Sequence, residues 1–293
     1  AVRVIVRRPR RQRTGTFRRG VAGTVGTALL VLTMPPGVAQ ERPRINRLIE
    51  TLEQGRPAIS SDVWVFIDQE HGPYLIDQLG NRLRDLAASR NDDGQQRLAP
   101  MVRVPTEGDQ NVRWVIKQVL ERGAMGIIVP QVENAAQALK IVQAVRFPQR
   151  RESAHPTPVG RRSFAGAPRT WGLPVLDYIA EADVWPLNPA GELFVMPMIE
   201  NADGVRNVGE ILDVPGVGGV LIGPSDLAMG LGEGPWYAGG QALRPPDTRA
   251  AIQTVADACV ARNKACGMVT WTEDETTQYL ADGFRIIFAT YRR

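Results

Sequence analysis

"APMVRVPTEGDQNVRWVIKQVLERGAMGIIVPQVENAAQALKIVQAVR", residues 99–146, decides the fold. Two short continuous apolar runs, "APMVRV" (99–104) and "GIIVP" (126–130), each precede a stretch with apolar residues at three- and four-residue spacing, 109–123 and 134–146. Runs this short, without polar residues at every second position, fit strands buried on both faces. The spaced stretches fit amphipathic helices, the first closing at Gly123 as a C-cap. Strand, helix, strand, helix is the repeating unit of a parallel α/β fold.

The alternation continues in both directions. The runs "VWVFI" (63–67), "LFVMPMI" (193–199), "GVLIG" (219–223), "CGMVT" (266–270) and "RIIFAT" (285–290) bring the strands to seven, and "RINRLIETLEQG" (44–55) and "DTRAAIQTVADACVARN" (247–263) add helical patterns. Seven such strands in 293 residues predict a (β/α)8 TIM barrel. An open doubly wound sheet is the alternative, but no Gly-rich dinucleotide fingerprint follows any strand. Residues 148–172, rich in Pro, Gly and Arg, read as a long loop.

With 43% apolar and 23% charged residues the chain is globular in composition. Its formal charge of +4 is concentrated at one end: eight arginines fall within the first nineteen residues, and no acid precedes Glu41. Subtracting those eight from the 35 basic residues leaves 27 against 31 acidic ones, so the remainder is mildly acidic and nucleic acid is not its expected partner. The basic stretch runs into the weakly apolar "GVAGTVGTALLVLTM" (20–34) and then "PPGVAQ", the three-part plan of an export signal. Its apolar part is too short to span a bilayer comfortably. Residues 1–40 are therefore read as a basic leader directing export, periplasmic or secreted once cleaved and cytoplasmic otherwise, and residues 41–293 as the barrel domain.

Two cysteines, Cys259 and Cys266, are too few for a disulfide framework or a zinc site. Burial as small hydrophobes is the expected role, with a bridge between them open to an exported protein.

In a barrel, catalytic groups gather where strands end. "VWVFI" is followed by Asp68, Glu70 and His71, "APMVRV" carries Arg103 near its end, "LFVMPMI" is followed by Glu200, and "GVLIGPS" by Asp226. Glu200 and Asp226, from successive strands, would reach one hard divalent ion of the magnesium or manganese type. Each residue alone also suits a helix cap or solvated turn, and it is their joint placement that points to a site.

"FIDQEHGP" (66–73), "VRVP" (102–105), "GAMGIIVPQVENAAQA" (123–138) and "MPMIENADGVRNVGEILDVPGVGGVLIGPSDLAMGLG" (196–232) resemble the HpcH/HpaI family of metal-dependent class II aldolases, over roughly residues 44–290. The resemblance implies a lyase joining or cleaving the C–C bond between pyruvate, as its enolate, and an aldehyde, with 4-hydroxy-2-oxo acids as substrates. It implies Glu200 and Asp226 as ligands of Mg2+ or Mn2+, with Co2+ a further candidate, and Arg103 and the amides around Ser225 as holders of the oxo acid. His71 becomes the catalytic base, Glu121 the acid paired with it, and Asp68 a supporting acid. A homo-oligomer is implied as well.

Departures from the family pattern imply a reduced barrel. Between "GRPAIS" and "SDVWVFID" most of the first strand and its helix is absent, and the chain stops at Arg293 without the family's terminal helix. Met198 stands where relatives often carry Gln. The aldehyde half is expected against loops, chiefly the arginine-rich 148–172 segment, whose charge would suit an acidic tail. A Schiff-base route would need one of Lys117, Lys140 or Lys264, none well placed. Two other readings remain: an exported binder of oxo acids without turnover, and oxaloacetate decarboxylase-type enolate chemistry.

Overall fold

The computed structural model describes residues 43–234 and 244–292; the leader of residues 1–40 lies outside the described residues. Among the described residues no helix is long and apolar enough to cross a membrane. The described elements begin with α1 (Arg47–Glu53), β1 (Ala58–Ile59), β2 (Trp64–Asp68), α2 (Ile76–Ala88), β3 (Ala99–Arg103), α3 (Arg113–Glu121), β4 (Gly126–Val129) and α4 (Ala135–Val145). Then come α5 (Pro168–Trp171), α6 (Val175–Glu181), β5 (Val184–Trp185), β6 (Leu193–Ile199), α7 (Ala202–Arg206), α8 (Val208–Asp213), β7 (Leu221–Ile222) and α9 (Pro224–Gly230). The last are α10 (Pro246–Ala261), β8 (Gly267–Thr270), α11 (Glu273–Ala281) and β9 (Ile286–Ala289).

Every strand pairing is parallel, in the order β1-β9-β8-β7-β6-β4-β3-β2, with β5 attached to β6 outside this path. The eight strands of the path form a nearly closed (β/α)8 barrel. All seven apolar runs of the sequence become strands, and "LFVMPMI" is buried along its whole length. Burial on both faces explains this pattern: one side of each strand fills the barrel and the other packs under the helices.

The shortened first unit is visible in the geometry. Parallel neighbours ordinarily need a crossover of a dozen residues or more, yet only residues 60–63 connect β1 to β2. The chain manages this because β1 ends low in the barrel: Ala58 is level with Ile286 at the start of β9, and Trp64 with Ala99 at the start of β3. A bridge between Ser60 and Trp64 joins the two edges. Above it, among the described residues, no strand lies between β2 and β9. Phe66 and Phe288 stack across this gap, their ring centroids 4.2 Å apart and their planes within 14°.

The end of the barrel where strands begin is tied down by polar contacts. Asn46 caps α1 through its side chain and donates to the carbonyls of Met125 and Glu192. The Glu192 carboxylate accepts from Asn46 N and from Arg44, and burial pushes it up to about 7 against those favourable contacts. On the same side, the fully buried Arg146 guanidinium holds Asp183 and the carbonyls of Pro158 and His155.

Cys259 and Cys266 are buried, as expected of small hydrophobes, and the bridge left open for them is formed, their Cα atoms 6.0 Å apart. The 148–172 segment is not loop throughout, since its last residues enter α5. It connects α4 to α6, with Arg161 beside residues 109–113 and α4, and with the buried Arg162 donating to the Tyr178 hydroxyl and lying over the Phe147 ring.

Candidate active site

Strand register builds the site. Asp68 is level with Arg103 across β2 and β3, so the two side chains emerge together at the barrel mouth. Both Asp68 oxygens accept from Arg103, at 3.0 Å from Nε and 2.7 Å from Nη2, and Nη1 lies 2.7 Å from a Glu70 oxygen. The Phe66 ring, one layer below, underlies the guanidinium at 5.2 Å. Arg103 is thus fixed on three sides.

A cavity of about 360 Å³ opens above this layer, lined by Asp68, His71, Arg103, Glu200, Ser225 and Asp226 among others. Glu200 follows β6 and is only 2% exposed, with Oε2 accepting from Gln131 N. Asp226 sits in the first turn of α9, two residues past the helix-starting Pro224. It is therefore not the N-cap, a position taken by Gly223. Gly223 has a further reason to lack a side chain, because a Cβ there would collide with Glu200 Oε1.

Charge dominates this corner. Burial pushes Glu200 up to about 8; the Gln131 N–H opposes the rise, and the charges of Asp226 and Glu70 add to it. Glu70 is likewise raised by burial, against the pull of Arg103 and His71. Burial acts on Asp68 in the same sense, but the hydrogen bonds from Arg103 and from Glu70 N outweigh it and leave Asp68 lowered. Asp68, Glu70 and Glu200 thus share the field of one guanidinium, while the Asp226 charge bears on Glu70 and Glu200. Crowded oxygen donors whose ionisation is held back in this way are a setting that a divalent cation would relieve. Among the described residues there is no cluster of three or more His, Cys, Asp or Glu of metal-binding geometry, so the protein's own donors would be the pair Glu200 and Asp226.

His71 stands at the rim, its side chain 64% exposed and its Nε2 3.6 Å from Glu70. The acid beside it is Glu70. Glu121, expected to pair with it, ends α3, where its nearest cationic partner is Lys117 at 3.9 Å, and it does not line the cavity. Helix direction is the reason: α3 starts near the mouth and carries its last residue toward the opposite end. No residue of 148–172 is among the residues that line the cavity within this chain either. Met198 does face the cavity and offers only a thioether where an amide would donate and accept.

The three lysines raised for a Schiff base are all elsewhere. Lys117 and Lys140 lie on helices, and Lys264 donates to Val217 O at 2.6 Å. His155 is occupied as a loop residue, its carbonyl held by Arg146.

Two features escaped the sequence reading. Glu70 was visible in "FIDQEHGP" but received no role, because nothing in the sequence says which of two nearby acids turns toward the histidine. The apolar side of the cavity, formed by Phe66, Val269, Trp271, Phe288 and Met229, is read only once the strands are assembled.

Comparison with known proteins agrees with this arrangement. The profile of the HpcH/HpaI aldolase/citrate lyase family matches residues 56–291. A hydroxypyruvate/pyruvate aldolase of Agrobacterium fabrum (strain C58) is 32% identical over 220 residues, covering 75% of this chain and 71% of that protein. A 2-keto-3-deoxy-L-rhamnonate aldolase of Escherichia coli (strain K12) is 33% identical over 234 residues, covering 78% and 74%. The crystal structure of a family protein from Burkholderia cenocepacia J2315 superimposes with a TM-score of 0.67 at 27% identity, covering 83% of this chain and 92% of that one. These relatives are named as carbon–carbon lyases or as members of one family, and the match spans the barrel from β1 to β9: the chain belongs to the HpcH/HpaI aldolase/citrate lyase family.

Proposed function

We propose that this protein is a metal-dependent aldolase that makes or breaks the bond between C3 of a pyruvate-type 2-oxo acid and an aldehyde carbon, with 4-hydroxy-2-oxo acids as the cleaved substrates. The observation that carries this reading is the pair Glu200, buried, and Asp226, half-buried, at one cavity wall with Arg103 and His71, two carboxyl groups close enough that each charge disfavours the other. Glu200 and Asp226 would hold a hard divalent ion, Mg2+ or Mn2+ by donor type and Co2+ as a further candidate. When bound, such an ion supplies Lewis-acid stabilisation of the enolate.

The remaining work falls to side chains of this chain. Arg103, with Nε and Nη2 engaged by Asp68 and Nη1 beside Glu70, presents the N–H bonds left over on Nη1 and Nη2 to an anionic oxo acid in a fixed orientation. Ser225 and its peptide neighbours offer donors to the same carboxylate. His71, within reach of Glu70 and open to the cavity, takes the proton of the C4 hydroxyl as the C3–C4 bond breaks, and returns it in the reverse direction. The named activities of the two aldolase relatives support the pyruvate half.

The test is pyruvate release from a 4-hydroxy-2-oxo acid. Activity is expected to vanish with chelator and return with a divalent metal. Full activity in chelator, with borohydride trapping at a lysine, would reverse the assignment. Tight oxo-acid binding without turnover would leave a binding protein instead. Export through the basic leader and assembly as a homo-oligomer belong to the same proposal; N-terminal sequencing of fractionated protein and light scattering test them.

A further inference from the structure

The cavity has two chemically different sides. Its acidic side is built on β3, β6 and the start of α9, which bring Arg103, Glu200, Ser225 and Asp226. The other side is built on β8, β9 and the lower part of β2. Val269 and Phe288 are register partners on adjacent strands, and Phe288 stacks on Phe66 across the gap left by the short β1. Trp271 continues this surface upward, its backbone N–H donating to the Glu275 carboxylate at 2.7 Å. The buried Arg244 lies behind it, 5.7 Å from its ring and paired with Glu275 at 3.0 Å rather than with the cavity. Among the described residues that line the cavity, Arg103 is the only arginine or lysine, and two carboxylates already hold it.

On this basis, and resting on the aldolase reading above, we propose that Phe66, Val269, Trp271 and Phe288 form the acceptor wall and select an uncharged aldehyde with an apolar body. With the oxo acid anchored at the acidic side, the carbon bonded to its C3 must point into the remaining space, which this wall bounds. In the synthetic direction C3 of pyruvate loses a proton, bonds to the aldehyde carbon, and the aldehyde oxygen gains a proton. Within the cavity's described lining a carboxylate on the aldehyde would meet no cation beyond Arg103 and would face Asp68, Glu200 and Asp226, since Arg82 and Arg292 line a separate recess that shares only Phe66, Asp68 and Phe288 with it. A polyhydroxylated tail would lose water there without partners.

The experiment is aldol addition of pyruvate by the metal-loaded wild-type protein to butanal, benzaldehyde, glyceraldehyde and succinate semialdehyde. Exchange of the pyruvate C3 protons in deuterated water is followed separately, without any aldehyde. The expected result is C3 exchange together with kcat/KM at least about tenfold higher for butanal or benzaldehyde than for the other two. Val269→Arg is expected to narrow or invert the ratio toward succinate semialdehyde while C3 exchange persists. Exchange accompanied by equal or reversed preference in the wild type would overturn the acceptor wall and leave the enolate chemistry standing. Absence of exchange would overturn the enolate reading and this inference with it.

Discussion

Asp68 and Arg103 are level in the β2–β3 register and meet through two parallel hydrogen bonds of 3.0 and 2.7 Å. The fork geometry fixes which edge of the guanidinium is left for a ligand, and a lysine cannot reproduce it. Arg103→Lys should therefore keep the fold and the charge but lower kcat/KM for pyruvate release by about 10²-fold, or ~3 kcal/mol of transition-state stabilisation. Steady-state kinetics with a melting curve check this; wild-type kinetics in the variant would mean that charge alone suffices.

Metal affinity should depend steeply on pH. Burial, with help from Asp226 and Glu70, pushes Glu200 up to about 8, so a cation must displace a proton from it below that pH. The apparent affinity for Mn2+ is expected to tighten by roughly tenfold per pH unit from 6 to 8 and then level off. For the metal-free protein the sign is opposite. A carboxyl raised in the folded state contributes stability below its unfolded pKa, and that contribution is lost as pH rises through the folded value. Melting of the metal-free protein should thus weaken between pH 5 and 8, and Glu200→Gln should flatten the metal profile in titration calorimetry and lessen the slope in thermal unfolding, the remainder belonging to Glu192 and Glu70, which are raised in the same sense.

The strands were legible because burial on both faces leaves continuous apolar runs, and the acids were legible because each follows such a run. Arg103, Glu200 and Asp226 converge as their strand ends implied. The role of Glu121 was not legible from the residues themselves: it came with the family resemblance, and within the chain Glu121 pairs with Lys117 while His71 lies beside Glu70. The acceptor wall was hidden for a different reason. Phe66 and Phe288 are 222 positions apart, and only the truncation of β1 brings their rings together.

Gly223 has the least room at the site. Its backbone, at φ −96°, suits any residue, so Ala is not excluded by conformation. A Cβ would instead press on Glu200 Oε1 from the backbone side. Gly223→Ala should fold with a near-normal melting temperature yet bind Mn2+ at least about tenfold more weakly, because the buried carboxylate has nowhere else to go. Unchanged affinity in calorimetry would mean that Glu200 does not hold the ion.

Arg146 and Asp183 test the division between the two ends of the barrel. They are 0% and 4% exposed, joined by bonds of 2.6 and 2.9 Å, and Arg146 also gathers the carbonyls of Pro158 and His155. Removing Asp183 leaves a buried guanidinium without its counter-charge, a loss of about 3–5 kcal/mol. None of these residues touches the cavity, and conserving the pair's shape matters to stability rather than chemistry at the strand-start end. Asp183→Ala should therefore melt well below wild type, yet retain its kcat and KM when assayed at a temperature where it remains folded. A specific loss of kcat in folded Asp183→Ala would mean that the two ends are coupled through β6, contrary to the separation drawn from the geometry.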